Sequence, residues 1–97
     1  MKNGFRKLEE ILRKHNLRTS GAIGTVLSNG RNIESFLDRI GYNIERGLEN
    51  PTYDYIVMGE SQVSLSNIKL ALSRLNSNGI LIARADREWN IIKKGTN

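Results

Sequence analysis

Ser66, Lys69, Leu70, Ser73 and Ser77, flanked by Asn67 and Arg74, recur at helical spacing within residues 64–78. Short hydroxyls, an amide and two cations, with one apolar residue among them, can approach a polar anionic groove closely. The chemistry open to such a face is base-edge and phosphate recognition. Lys69 suits guanine acceptors, Asn67 suits adenine, and Leu70 suits a thymine methyl. The same face also suits an ordinary solvated surface.

Residues with catalytic potential are sparse. His15 is the only histidine, and no nucleophile and acid stand near it in sequence. It reads as a residue of a helix C-terminus. Glu9 and Glu10 pair at helical spacing with Arg13 and Lys14. Glu34, Asp38, Glu45 and Glu49 recur as a solvated acidic stripe. No cysteine is present, which excludes disulfides and Cys-ligated zinc. No Gly-x-Gly-x-x-Gly or Gly-x-x-x-x-Gly-Lys-Ser/Thr cradle occurs. Neither enzymatic activity, a metal nor a cofactor is expected. The six aromatic residues are scattered rather than interleaved with cations, which argues against a stacking platform for single strands.

The elements that must position the polar face follow from periodicity. Leu65, Ile68, Ala71, Leu72 and Leu75 fall on one side of a helix over residues 64–75, extending toward 78. Ser64 or Ser66 caps its start and Asn78-Gly79 ends it. Two apolar runs follow, Ile80-Leu81-Ile82-Ala83 and Trp89 with Ile91-Ile92. The polar stretch Arg84-Ala85-Asp86-Arg87-Glu88 between them predicts a β-hairpin. Trp89 reads as the core anchor of that hairpin.

Helix, glycine, apolar strand, charged tip, strand and a Lys93-Lys94-Gly95 ending occur in that order over residues 63–95. In this respect the chain resembles the winged helix-turn-helix family of DNA-binding regulators, over about a third of its length. The resemblance rests on Val63-Ser64, Ala71-Leu72, Leu75, Gly79-Ile80-Leu81 and Ile91-Ile92-Lys93-Lys94-Gly95. It implies a mainly α single domain with a small C-terminal β-hairpin: a helical part over residues 3–60, then a recognition helix and wing over 63–95. It further implies a DNA-binding transcriptional regulator. Ser64, Ser66, Asn67, Lys69, Leu70, Ser73 and Arg74 would serve the major groove, and Arg84, Arg87, Lys93 and Lys94 the backbone or minor groove.

Upstream, Phe5, Leu8, Ile11 and Leu12 predict an amphipathic helix over residues 5–15, with Asn3 as its cap. Residues 20–28 read as a second short helix weakened by Gly21 and Gly24 and ended by Asn29-Gly30. Ile33, Phe36, Leu37, Ile40, Ile44 and Leu48 are spaced for a longer helix from Asn32, with Gly41 as a place to kink or stop and Gly47 a further cost. Asn50-Pro51 marks a boundary. Residues 51–60 read as the first helix of a helix-turn-helix, although Tyr53, Tyr55, Ile56 and Val57 are strand-favouring. Ser61 also stands where that family has a large apolar residue. A strand pairing with the hairpin stays open.

Ninety-seven residues suit one domain. The net charge of +5 and pI near 9.9 favour an anionic partner. Its distribution is uneven. Seven cations against two anions fall in residues 1–31, two against six in 32–63, and six against two in 64–97. The acidic middle supports a rival reading: a winged-helix protein-interaction module, or a small phage-type protein acting on a host or assembly partner. Glu34, Asp38, Glu45, Glu49 and Asp54 would then carry the contact. A third reading places a separate helix-turn-helix in residues 5–48, with the C-terminal segment as an accessory. The apolar repeat over 33–48 offers a surface for a homodimer. No apolar run reaches the roughly 20 residues that span a bilayer, and residues 1–16 lack a secretory apolar stretch. A cytoplasmic chain without membrane contact is expected.

Overall fold

The computed structural model describes residues 3–17, 21–27, 31–46 and 49–95. It corrects the expectation of a mainly α winged-helix fold. Three helices, α1 (Asn3–Lys14), α2 (Arg31–Arg39) and α3 (Leu65–Ser73), accompany five strands. These are β1 (Gly24–Val26), β2 (Ile44–Arg46), β3 (Tyr53–Met58), β4 (Leu75–Ala85) and β5 (Glu88–Lys93). All five form one sheet in the order β2-β1-β3-β4-β5. The first four are mutually parallel and β5 is antiparallel to β4.

The decisive difference lies in β3. Residues 51–60 are not the first helix of a helix-turn-helix. A central strand is covered on both faces and reads as a continuous apolar run rather than an alternation. Tyr55 and Val57 join the cluster that holds Leu8, Leu12, Ile33 and Leu37, whereas Tyr53, Ile56 and Met58 join Ala71, Leu75 and Leu81. All five of these β3 residues are fully buried. The strand-favouring types therefore meant a strand, and it pairs with the hairpin, parallel to β4, as the open alternative had it.

Two further segments expected as helix are strand. The segment around Gly24 forms β1, between β2 and β3. Gly24 is buried because the ring of Tyr55 lies on it; a Cβ there would come within 2.6 Å of Tyr55 Cδ2. Ser20, Ser28 and the Asn29-Gly30 stop lie outside the described residues. The longer helix ends at Arg39, and Gly41 at φ +95° turns the chain. Ile44 then enters β2 instead of a fourth helical turn. Leu48 and Gly47 lie outside the described residues.

Other expectations correspond to what is seen. In α1, Leu8 and Leu12 are buried with Phe5 and Ile11 packed against the core, and Phe5 meets Phe36 of α2 at 5.1 Å between ring centres. Arg13 Nη2 lies 2.8 Å from Glu9 Oε2. His15 Nδ1 donates to the Ile11 carbonyl at the end of that helix. The hairpin forms with Asp86 and Arg87 as a two-residue turn at φ +53° and +66°, values that suit the right-handed twist of the paired strands.

Two crossovers of the same hand that run in opposite directions along a sheet must place their helices on opposite faces. Here β1–α2–β2 runs one way and β3–α3–β4 the other. Leu8, Leu12, Ile33 and Leu37 of α1 and α2 cover one face, while Ala71 of α3, with Ile68 and Leu72, covers the other. The architecture is a three-layer, doubly wound α/β sheet with an antiparallel edge. Among the described residues, no helix is long and apolar enough to cross a membrane.

Burial has a titration consequence. Desolvation raises the Tyr55 phenol above its ordinary 10.0, aided by Tyr42 and Asp54, and desolvation followed by Glu45 raises that of Tyr53. A folded-state pKa above the unfolded one contributes stability fully present below about pH 10 and lost as pH climbs toward the folded value. Urea midpoints measured from about pH 8 to about pH 12 should hold and then fall. Tyr55→Phe should shallow that alkaline fall. An unchanged alkaline slope in that variant would assign the loss to other groups.

Candidate ligand crevice

The residues expected to contact DNA do not converge on one surface. Ser64 caps α3, its Oγ accepting from the Asn67 amide N–H at 3.1 Å. Asn67 turns its side-chain amide to the Gln62 carbonyl at 2.6 Å. Arg74 caps the other end and donates from Nη1 to the Asn50 carbonyl at 3.2 Å. Lys94 Nζ donates to the Leu75 carbonyl at 2.9 Å. The Arg84 guanidinium sits 5.3 Å from the ring centre of Trp89. Each of these polar groups has a task within the fold. Ser66, Lys69, Leu70 and Ser73 do share the exposed side of α3, with Ser73 Oγ donating to the Leu70 carbonyl.

Face geometry separates the rest. Arg84 is paired with Trp89, and Lys93 with Ile80, and both Trp89 and Ile80 belong to the α1/α2 side of the sheet. The α3 helix covers the other side. Arg87 stands exposed in the turn. A helix and a wing reading one duplex from one side is therefore not the arrangement present. The expected core face of α3 also changes. The helix stops at Ser73 because Leu75 already pairs with Tyr53 of β3, so Asn78-Gly79 belongs to β4, and Leu65 is 69 % exposed.

The acidic residues of the rival reading are likewise dispersed. Glu34 and Asp38 line a depression of about 190 Å³ with Ser35 and Ile44. Glu49 is exposed. Glu45 turns inward, accepting from Tyr53 Oη at 3.0 Å and from Asn50 Nδ2. The Asp54 carboxylate accepts from the Ile23 amide N–H and from Asn76 Nδ2, both at 2.9 Å. Its lining role in an open depression of about 340 Å³ at the amino ends of the strands is thus structural. Asp54 was not legible as inward because its partners stand 22 and 31 positions away. The partners of Glu45 are only 5 and 8 away, but its spacing reads as part of a helix's solvated stripe.

The strand order brings together a different set. At the carboxyl ends of the parallel strands, Val26 of β1 stands between Arg46 of β2 and Val57 of β3. The chain leaves β1 toward β2 through α2, whose first residue is Arg31, and leaves β3 toward β4 through α3. In open sheets of this order, such a divergence is where the two outgoing segments leave room for a ligand. Thr25, fully buried, donates from Oγ1 to the Glu45 carbonyl at 2.7 Å and pins β2 to β1. The Leu27 N–H donates to the Val57 carbonyl at 2.9 Å and holds the end of β1 to β3.

On the β3 side, Gly59 lies against the first turn of α2, where an added Cβ would stand 3.4 Å from Ile33 Cδ1. Glu60, Ser61 and Gln62 follow as a single 3-10 turn, with Glu60 and Ser61 exposed. The turn is braced by the Gln62 N–H on the Gly59 carbonyl and by Asn67 on the Gln62 carbonyl. The turn that follows β3 thus exposes one carboxylate and one hydroxyl. Among the described residues, no cluster of three His, Cys, Asp or Glu side chains is placed to hold a metal ion. Comparison with protein-family models, with curated proteins and with solved structures finds no match to this chain.

Proposed function

We propose that the chain binds a small anionic ligand, of the nucleoside monophosphate type, in the crevice at the carboxyl ends of β1 and β3. The observation that carries this reading is the reversal of strand order between those two strands. In open α/β sheets ligands bind at this switch point, because the diverging crossovers leave a cleft there that no side-chain layer fills. Charge supports the anionic class. The α2 helix begins at this edge, where the positive end of its dipole favours an anion, and the chain's net charge of +5 points the same way. The exposed Glu60 and Ser61 supply an acceptor and a hydroxyl for the polar remainder of such a ligand. The absence of the Gly-rich di- and triphosphate cradles from the sequence favours a single anionic group over a polyphosphate.

The test is an amide-resolved NMR titration with nucleoside monophosphates, inorganic phosphate and a mixed duplex DNA pool. Nucleoside monophosphates should shift amides in residues 24–31, 44–46 and 58–62, more strongly than phosphate does. Shifts confined to residues 64–75 and 84–94 with duplex DNA, fading as salt rises, would favour DNA binding instead. Silence of the crevice amides toward every nucleotide would overturn the proposal.

A further inference from the structure

An outermost strand of the sheet, β5, carries a pattern that fits itself. Lys94 donates its backbone N–H to the Gly79 carbonyl at 2.9 Å, and the ladder pairs Ile80 with Lys93 through to Ala85 with Glu88. Bonded pairs alternate along an antiparallel ladder. Residues 88, 90, 92 and 94 therefore spend their backbone groups on β4. Trp89, Ile91 and Lys93 point theirs outward, away from the sheet.

Such an edge is a template for another strand unless charge, proline or a bulge protects it. This one contains no proline, its pairing with β4 is regular, and Ile91 and Ile92 are 43 % and 37 % exposed. The charges sit at its ends, Glu88 at one and Lys93-Lys94 at the other. That asymmetry becomes complementary only when the strand meets an antiparallel copy of itself.

We propose that β5 pairs with β5 of a second copy about a two-fold axis at Ile91, joining the two five-stranded sheets into one. Symmetry about an axis normal to the sheet requires paired residues to share a face, which allows only registers two residues apart. With the axis at Ile91, the outward groups of Trp89 and Lys93 bond those of Lys93 and Trp89 in the second copy. Trp89 then faces the Lys93 ammonium and Ile91 meets Ile91, while Glu88 comes opposite Lys94, whose ammonium would exchange the Leu75 carbonyl for the Glu88 carboxylate. With the axis moved to Asn90, Arg87 would face Lys93, a like-charge pair. With the axis at Ile92, Glu88 has no partner residue within either strand. Charge thus selects one register. This inference is independent of the ligand crevice, which opens at the carboxyl ends of β1 and β3, two strands removed from this edge.

The chain has no cysteine, so single replacements report the register directly. Across a hydrogen-bonded pair the Cα atoms are about 5.5 Å apart, within disulfide reach. Asn90 and its copy would be offset by two residues, at about 8 Å, beyond that reach. Mild oxidation should convert Ile91→Cys into a covalent dimer and leave Asn90→Cys monomeric, with matched urea midpoints showing that both fold. The unmodified chain should sediment at twice its 11.0 kDa mass. Ile91→Lys, which sets two like charges on the axis, should sediment as monomer with its circular dichroism unchanged. Equal cross-linking of the two cysteine variants, cross-linking of Asn90→Cys alone, or a monomeric unmodified chain would each overturn the proposal.

Discussion

Replacing Gly24 with alanine should destabilise the fold by about 3 kcal/mol, the upper part of the range for overpacking a close-packed interior. The new methyl group would stand 2.6 Å from Tyr55 Cδ2, on a ring that is fully buried and whose hydroxyl donates to the Asn43 carbonyl at 3.2 Å. The ring has no solvent side toward which to swing. The two central strands would have to part, and β1 pairs with both its neighbours through only three residues each. Equilibrium urea unfolding reads the loss as a lower midpoint at unchanged slope. Tyr55→Leu alone should also destabilise, by removing packed ring atoms. Combined with Gly24→Ala it should cost clearly less than the two separate losses added, since the leucine leaves room for the methyl. Additive losses would show that the ring is not what makes glycine necessary at this position.

Asp54→Ala should cost about 2–3 kcal/mol, the range expected when a half-buried charged acceptor leaves two donors behind. One is the Ile23 N–H, just before β1; the other is the Asn76 amide, in the irregular stretch of β4 between Leu75 and Ile80. The carboxylate therefore fastens three strands at their amino ends. Exchange of the Ile23 amide hydrogen should accelerate in Asp54→Ala by more than the global loss of stability accounts for. Asp54→Asn should fall between the parent and the alanine variant, because an amide keeps one acceptor but turns its NH2 toward one of two donors. Exchange at Ile23 that rises only in step with global unfolding would place the bond outside the stabilising set.

What could be read in the sequence was whatever local spacing determines. Leu8 and Leu12 lie one helical turn apart and are buried together, and Ser64 begins α3 as a capping residue should. The two apolar runs on either side of the polar stretch Arg84-Ala85-Asp86-Arg87-Glu88 gave the hairpin. What could not be read depends on residues far apart. Gly24 lowers helix propensity, which weakened a helix prediction without pointing to a strand, because the ring that requires the glycine is at position 55. Ile44 continues the helical spacing of Ile33, Leu37 and Ile40, yet the chain has reversed at Gly41 before reaching it. In β3 the strand-favouring types were visible, and the order of the flanking elements weighed against them. The candidate crevice is less legible still. It arises from the order in which strands stand in the sheet, and no single segment encodes that order.

Strand order also bears on how the chain leaves the ribosome. A strand interior to the parallel sheet is made early, by Val26, but its two neighbours are complete only at Arg46 and Met58. The one pairing that needs no more than a two-residue turn, Ala85 with Glu88, is synthesised last. Emergence from the exit tunnel thus runs opposite to the ease of loop closure. From the completion of Val26 until that of Met58, the growing chain holds a buried strand with nothing yet made on one of its sides.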